Sequence, residues 1–232
     1  MEQSRMLIVD DNPEIREVVT VLLEGEGFCL EEAADGREAL EKIKRNRYDL
    51  VLLDIMMPGL DGYQTCMEIR KRSNVPILFL SARTQVEDKT FGFSCGGDDY
   101  LPKPFSYPEL IGRVKALVRR YHVYQGSGAE KNEKKLCCGG LEVYPEKGTV
   151  WRNDKEISLT DTEFSILCLL LKHRKQIFSV EHLYEAVWEE AYYYGAANIV
   201  MVHIRNLRNK IEEDPHAPKI IRTVWGRGYR CD

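Results

Sequence analysis

Three carboxylates and one ammonium stand at the ends of apolar runs that are far apart in the chain. Asp10-Asp11 closes Met6–Val9, Asp54 closes Leu50–Leu53, Ser81 closes Ile77–Leu80, and Lys103 sits in Leu101-Pro102-Lys103-Pro104-Phe105. Carboxylates gathered within a few ångströms repel one another, so such a cluster needs a cation to ionise fully. Mg2+ (or Mn2+) suits the role, because magnesium takes oxygen ligands and keeps places for waters and phosphate oxygens. In this reading Asp11 and Asp54 are metal ligands and Asp10 assists through a water. Asp54 is the nucleophile that accepts a phosphoryl group. Lys103 pairs with the phosphate oxygens and the Ser81 hydroxyl hydrogen-bonds them. Phosphoryl transfer depends on positioning and charge neutralisation more than on acid–base chemistry, so no further base is required. Taken singly, an Asp at a strand end is ordinarily a turn or cap residue, and a Lys between prolines a solvated one. Their joint occurrence is what points to one site.

The elements that must position these groups alternate between strand and helix signals, the pattern of a parallel sheet with helices on both faces. The three apolar runs are short and apolar throughout, as strands buried on both faces are. Between them lie amphipathic stretches: one opened by Asn12 as N-cap and Pro13 at the first helical position, others over Gly36–Lys44, Gly62–Lys71, Val86–Ser94 and Tyr107–Arg120. Five βα units are expected, with the acidic groups beyond the carboxyl ends of the strands, where strand order reverses and ligands bind.

A length of 232 residues suits two domains of roughly 100–120 each. The expected division is 1–121, a linker 122–135 that is polar and carries Gly126, Ser127 and Gly128, and 136–232. No apolar run approaches the roughly 20 residues of a membrane span, and the N-terminus lacks a signal-peptide pattern, so a cytoplasmic protein without a membrane partner is expected. Seven cysteines, odd in number and without a C-x-x-C, argue against disulfides or zinc and for reduced thiols.

After the linker the pattern changes. Leu141–Tyr144, Thr149–Trp151 and Glu156–Leu159 read as short antiparallel strands. Thr160 and Glu163 form a capping box, with Leu159 and Phe164 as a hydrophobic staple, and open a helix to about His173. Ser179 caps a second helix through Trp188, a third covers Ala197–Glu213, and Ile220–Arg230 closes as a hairpin. The third helix carries an apolar stripe at Val200, Ile204, Leu207 and Ile211. Asn198, Val202, Arg205, Asn206 and Asn209 fall on another side, with Arg208 and Lys210 nearby. Charge is uneven: residues 1–121 carry 17 Lys+Arg against 21 Asp+Glu, whereas Arg205–Arg230 alone holds seven against three. Arg and Asn read guanine and adenine edges, and Arg or Lys neutralise phosphates, so this face with Arg227 at the hairpin tip fits a winged helix on double-stranded DNA. On charge alone, a solvated basic face remains the alternative. His203 is expected at a core edge or against phosphate, not as a metal ligand.

These residues carry a resemblance. Leu7–Asp11, Leu53–Gly62, Leu80–Arg83 and Gly97–Phe105 resemble the receiver domain of bacterial two-component response regulators. Leu159–Phe164, Val187-Trp188, Val200–Ile211 and Ile221–Tyr229 resemble the OmpR/PhoB-type effector domain, with the VanR-like branch nearest in flavour. The resemblance implies a CheY-like (βα)5 receiver with a five-stranded parallel sheet, followed by an α+β winged-helix DNA-binding domain. It further implies a sensor histidine kinase as phosphodonor, magnesium with the Met56 backbone carbonyl among its ligands, and Tyr100 as a switch aromatic that turns inward; by chemistry alone Tyr100 reads as a half-buried strand residue. Phosphorylation would favour a homodimer that binds promoter DNA. Across the Val86–Ser94 helix, the last strand of the sheet and the Tyr107–Arg120 helix, the dimer would pair Lys89 with Glu109, Asp99 with Arg113 and Asp98 with Arg120, aided by Phe91 or Leu110. The tyrosine-rich loop Glu189–Gly195 matches one that family members turn toward RNA polymerase, or else packs locally. Asn206 departs from the many members with a second arginine there. No enzymatic activity beyond the receiver's own phosphorylation and dephosphorylation is expected. The rival readings are a phosphotransferase or phosphatase using the same acidic site, and an interaction module without DNA binding.

Overall fold

The computed structural model describes residues 3–82, 92–125, 135–193 and 195–232, leaving aside the side chains of 122–125. The chain divides into two compact units, Met1–Tyr121 and His122–Asp232.

In the first unit, β1 (Arg5–Val9), β2 (Cys29–Ala33), β3 (Leu50–Asp54), β4 (Ile77–Ser81) and β5 (Asp99–Pro102) form one sheet in the order β2-β1-β3-β4-β5. Every pairing is parallel. β3 and β4 are buried along their whole length, as their uninterrupted apolar runs require. Helices α1 (Pro13–Glu24), α2 (Gly36–Arg45), α3 (Gly62–Arg70) and α4 (Tyr107–Gln125) cross between or follow the strands. The Asn12 side chain accepts from Glu14 N–H at 2.9 Å, and Asp35 and Asp61 cap α2 and α3 in the same way. Part of the core gathers Met6, Ile8, Leu50, Leu52, Leu78, Leu80 and Leu101 with Val19, Leu23, Leu110, Val114 and Leu117. Each such aliphatic side chain contributes ~1.5–3 kcal/mol relative to an exposed one.

α4 runs to Gln125, five residues past Arg120, because nothing before Gly126 breaks the helix; 126–134 lie outside the described residues. One expectation about the dimer face is corrected. Leu110 is fully buried in the core and is not available to a dimer face. Of the helix expected over Val86–Ser94, only 92–94 are described, and they are helical; Lys89 and Phe91 lie outside the described residues.

The second unit opens with an antiparallel sheet in the order β6 (Leu136–Cys138), β7 (Leu141–Tyr144), β8 (Thr149–Arg152), β9 (Lys155–Glu156). β6 goes unannounced in the sequence because it has three residues and no alternation. β9 stops at Glu156 rather than continuing to Leu159. Leu159 and Phe164 are instead buried at the staple positions, and the capping box of Thr160 and Glu163 forms. Three helices follow, α5 (Asp161–Lys172), α6 (Val180–Trp188) and α7 (Ala196–Ile211), then the antiparallel hairpin β10 (Ile221–Val224) and β11 (Gly228–Cys231). Gly228 is indispensable for closing it: at φ +127° its hypothetical Cβ would lie 1.9 Å from Phe178 O, and Tyr229 exchanges backbone bonds with Phe178 at 2.8 and 2.9 Å.

Candidate metal centre and candidate nucleic-acid interface

Strand order places the carboxyl ends of β1 and β3 side by side, and this brings Asp10, Asp11 and Asp54 together. One carboxylate oxygen from each lies within 4.8 Å of the others. Asp10 and Asp54 are buried and Asp11 is exposed, so the cluster has a dry floor and an open mouth. Lys103 Nζ donates to Asp10 Oδ2 at 2.6 Å and to Asp54 Oδ1 at 2.7 Å, neutralising part of the negative charge. Asp54 Oδ2 accepts from Met56 N–H at 2.7 Å, and Asp10 Oδ1 accepts from Asn12 N–H at 3.0 Å.

Backbone contacts fix this geometry. Lys103 N–H donates to Ser81 O at 2.7 Å, tying the lysine loop to the end of β4. A Cβ at Gly62 would stand 2.2 Å from Asp54 O, so only glycine lets the start of α3 approach the end of β3 this closely. Arg16, not singled out from sequence, donates from Nη1 to Asp10 O at 2.7 Å and from Nε to Glu32 at 3.0 Å. Its only signal is its place one helical turn after Asn12.

Burial raises the Asp54 carboxyl above its ordinary range, and the Lys103 ammonium pulls the other way without cancelling it. For Lys103, burial would lower the ammonium, but the bonds to Asp10 and Asp54 outweigh it and raise it. The site is thus a cluster of hard oxygen donors with one fixed cation and a surplus of negative charge. A divalent ion of the magnesium type fits that donor set. Ser81 is fully buried at the end of β4, and Tyr100 is 4% exposed on β5 and not half-buried.

The proposed dimer residues are placed otherwise than expected. Asp98 is fully buried, accepts from Arg70 Nη2 at 2.7 Å and Ile77 N–H at 3.0 Å, and so is not a surface partner for Arg120. Arg120 itself is 9% exposed. Asp99 pairs within the chain, with Arg113 Nη1 3.0 and 2.9 Å from its two oxygens. Arg113 also lies 3.5 Å from Glu109.

On α7, Val200, Ile204, Leu207 and Ile211 are buried as the stripe requires. Val202 is buried too and cannot reach a base, because the buried arc is wider than the stripe. Arg208 is likewise corrected. Its Nε and Nη2 donate to Ile221 O at 3.0 and 2.6 Å, Nη2 donates to Thr223 Oγ1 at 2.9 Å, and its guanidinium lies 5.6 Å from the Tyr229 ring centroid. It is a strut between helix and hairpin. Burial lowers its pKa from the ordinary arginine value. Lys210 pairs with Glu163 at 2.6 Å, Lys219 with Glu213 at 3.5 Å, and Arg222 and Arg230 with Asp232 at 2.9 and 2.8 Å.

Of the seven basic residues in this stretch, Arg205 and Arg227 are exposed and make no ion pair among the described residues. Asn209 is exposed and Asn198 and Asn206 are half-buried. Two exposed apolar side chains were not foreseen: Met201, 45% exposed one turn before Arg205, and Trp225, 90% exposed beside the Gly226 turn. His203 is buried with its ring centroid 5.4 Å from that of Trp188, a core contact. Tyr192 and Tyr193 pack edge-on against Tyr184, at 6.1 and 5.6 Å, so those two loop tyrosines pack locally; Tyr194 lies outside the described residues.

Comparison with known proteins follows the same division. A family described as response regulator receiver domain matches residues 6–115, and one described as transcriptional regulatory protein, C terminal, matches 154–231. The uncharacterized transcriptional regulatory protein YrkP of Bacillus subtilis (strain 168) is 50% identical, over 97% of this chain and 97% of its own. The regulatory protein VanRc of Enterococcus gallinarum is 41% identical, over 97% of each chain. The crystal structure of the response regulator DrrB, a Thermotoga maritima OmpR/PhoB homolog, shares 28% identity, with 99% of each chain covered and a TM-score of 0.52.

Proposed function

This chain belongs to the OmpR/PhoB-type response regulators and controls transcription, and from that premise we propose that a phosphoryl group placed on Asp54 switches its binding to promoter DNA. The observation that carries the reading is the convergence of Asp10, Asp11 and Asp54 within 4.8 Å beside Lys103. Asp11 and Asp54, with Asp10 through a water and the Met56 carbonyl, would hold Mg2+ (or Mn2+), which when bound supplies positive charge to phosphate oxygens. An Asp54 carboxylate oxygen attacks the phosphorus of a phosphohistidine on a sensor kinase, forming an acyl phosphate as the P–N bond breaks. Lys103 exchanges its carboxylate partners for a phosphoryl oxygen, and the buried Ser81 hydroxyl donates to another. Tyr100, already enclosed, is the aromatic that the phosphorylated form retains inside.

The phosphorylated conformation pairs two receivers and so raises the effective concentration of two DNA-binding units on adjacent half-sites. Arg205, with Asn198, Asn206 and Asn209, reads the major groove; Arg227 reaches the minor groove or backbone. RNA polymerase is approached by the loop Glu189–Gly195, and the protein works in the cytoplasm. Acetyl phosphate with Mg2+ should add one acid-labile phosphoryl group and tighten operator binding. Asp54→Ala should abolish both; undiminished labelling of that variant would overturn the assignment.

A further inference from the structure

Cys138 on β6 and Cys231 on β11 are 93 residues apart, yet their sulfurs lie 3.4 Å from each other. Both are buried, and neither belongs to the acidic site or to the exposed face of α7. We propose that this pair is a modification site of the DNA-binding unit, closing to an intrachain disulfide when a hydroperoxide reaches Cys138.

The surroundings give the two sulfurs different tasks. An open cleft of about 350 Å³, lined in part by Cys137, Cys138, Gly139, Gly140 and Arg174, admits a small oxidant to Cys138. Arg174 is anchored at its rim by bonds to Cys137 O at 3.2 Å and Asp232 O at 2.8 Å. The Cys231 thiol donates to Cys138 Sγ, and with the Arg174 charge it holds the Cys138 thiol below its ordinary range; burial, Glu212 and Asp232 oppose the shift. While protonated, Cys138 donates to Asp232 O at 3.0 Å. Cys231 is pushed upward by donating that same bond and by burial. Cys138, which lines the open cleft beside Arg174, is the attacking sulfur, and the fully buried Cys231 is the resolving one, the pairing that redox-responsive thiols use. The remaining buried thiols contrast with it: burial pushes Cys66 and Cys168 up to about 12 and Cys95 to about 11.

Cys138 thiolate attacks one oxygen of hydrogen peroxide, the O–O bond breaks as an S–O bond forms to give a Cys138 sulfenic acid, and the departing hydroxide takes a proton to become water. Cys231 sulfur then attacks the sulfenic sulfur, forming the S–S bond and releasing a second water. Two thiols are oxidised and one hydroperoxide is reduced. The sulfurs must close from contact to a bond of about 2 Å, a small motion. The bond ties the first strand of the unit to its last, restricting the unfolded chain far more than the folded one.

The test treats the reduced full-length chain with hydrogen peroxide, alkylates it after unfolding, and maps the peptides. The expected result is a Cys138–Cys231 crosslinked peptide lighter by two hydrogen atoms, reversed by dithiothreitol, with Cys66, Cys95 and Cys168 still alkylated. Cys29→Ser/Cys137→Ser, which removes both exposed thiols, should form the same crosslink. In Cys231→Ser, dimedone should label Cys138, and in Cys138→Ser it should not label Cys231. Full alkylation of Cys138 and Cys231 after peroxide has oxidised Cys29 and Cys137 would overturn the proposal. So would crosslinks made through Cys137 or Cys29 alone.

Discussion

In the receiver, Lys103 spans Asp10 and Asp54 at 2.6 and 2.7 Å and still leaves the cluster with surplus negative charge. In the DNA-binding unit, Arg208 spends the same unit charge on Ile221 O and Thr223 Oγ1, and four other basic residues are paired with acids. The first region gathers charge that its own chain does not balance, so it has work left for a cation or a phosphoryl group. Over Arg205–Arg230 the second balances most of its basic charge internally and, among the described residues, leaves two arginines of that stretch, Arg205 and Arg227. Counting charges along a sequence measures the first kind of region well and overstates the second. What matters at an interface is charge left over after folding, because only that charge can release counterions from DNA.

The harshest way to break this comparison is to unbalance a charge that folding has already settled. Arg70 bonds to Asp98 at 2.7 Å and to Gly96 O and Val75 O at 2.8 and 2.7 Å, and Asp98 is fully buried. Removing one partner of such a pair costs ~3–5 kcal/mol, since it leaves a buried charge without compensation. Arg70→Ala should lower the receiver's unfolding free energy by that amount, read as a fall in its urea midpoint at unchanged slope, while leaving the unfolding of the DNA-binding unit in place. An unchanged midpoint would mean that Asp98 finds another partner and that burial there is not tight.

A finer cut separates available from committed charge on one helix. Arg205→Ala should weaken operator binding by ~1–3 kcal/mol and leave thermal stability alone. Arg208→Ala should instead lower stability by ~1.5–3 kcal/mol, because its bonds are charge-assisted and internal. Gel shifts across a salt series, read beside melting curves, distinguish the two. If Arg205→Ala melted early and Arg208→Ala did not, strut and reader would have been exchanged.

The acidic site was legible in sequence because each of its groups is fixed by a strand end, and strand ends are marked by apolar runs followed by Asp, Ser or Lys. The switch between β1 and β3 then does the rest, with no dependence on side-chain packing. Helix caps were legible for the same local reason: Asn12, Thr160 and Ser179 bond to backbone within three residues. What the sequence hid depends on long-range partners. Nothing near Arg208 announces Ile221, nothing near Asp98 announces Arg70, and nothing near Cys138 announces Cys231. The expected recognition face included Val202 because helical spacing gives a direction but not the width of the buried arc. It passed over Met201 and Trp225 because exposed apolar residues look like core residues until the fold is known.

The smallest expected effect concerns the proposed receiver dimer, and it follows from the same distinction. Of the three ion pairs drawn across that face, Asp98–Arg120 is removed by the burial of Asp98, and Lys89 lies outside the described residues. Asp99 and Arg113 remain, but they already pair within one chain at 2.9 Å, with Arg113 largely buried at 13% side-chain exposure. An intersubunit pairing would therefore exchange one partner for an equivalent one, with no gain in the number of ion pairs. An exchange that trades one buried pairing for another of the same kind adds little free energy, so it can tune a dimer but not hold it. Arg113→Glu should place a third acid beside Asp99 and Glu109, lowering receiver stability first and dimer affinity second. Adding Asp99→Arg should restore most of the stability and part of the affinity, since it recreates the pair with its signs reversed. Sedimentation of wild type, both single variants and the double variant with beryllofluoride, beside their melting curves, tests this. Equal dimer constants in all four, with melting altered as expected, would show that the pair belongs to the monomer alone.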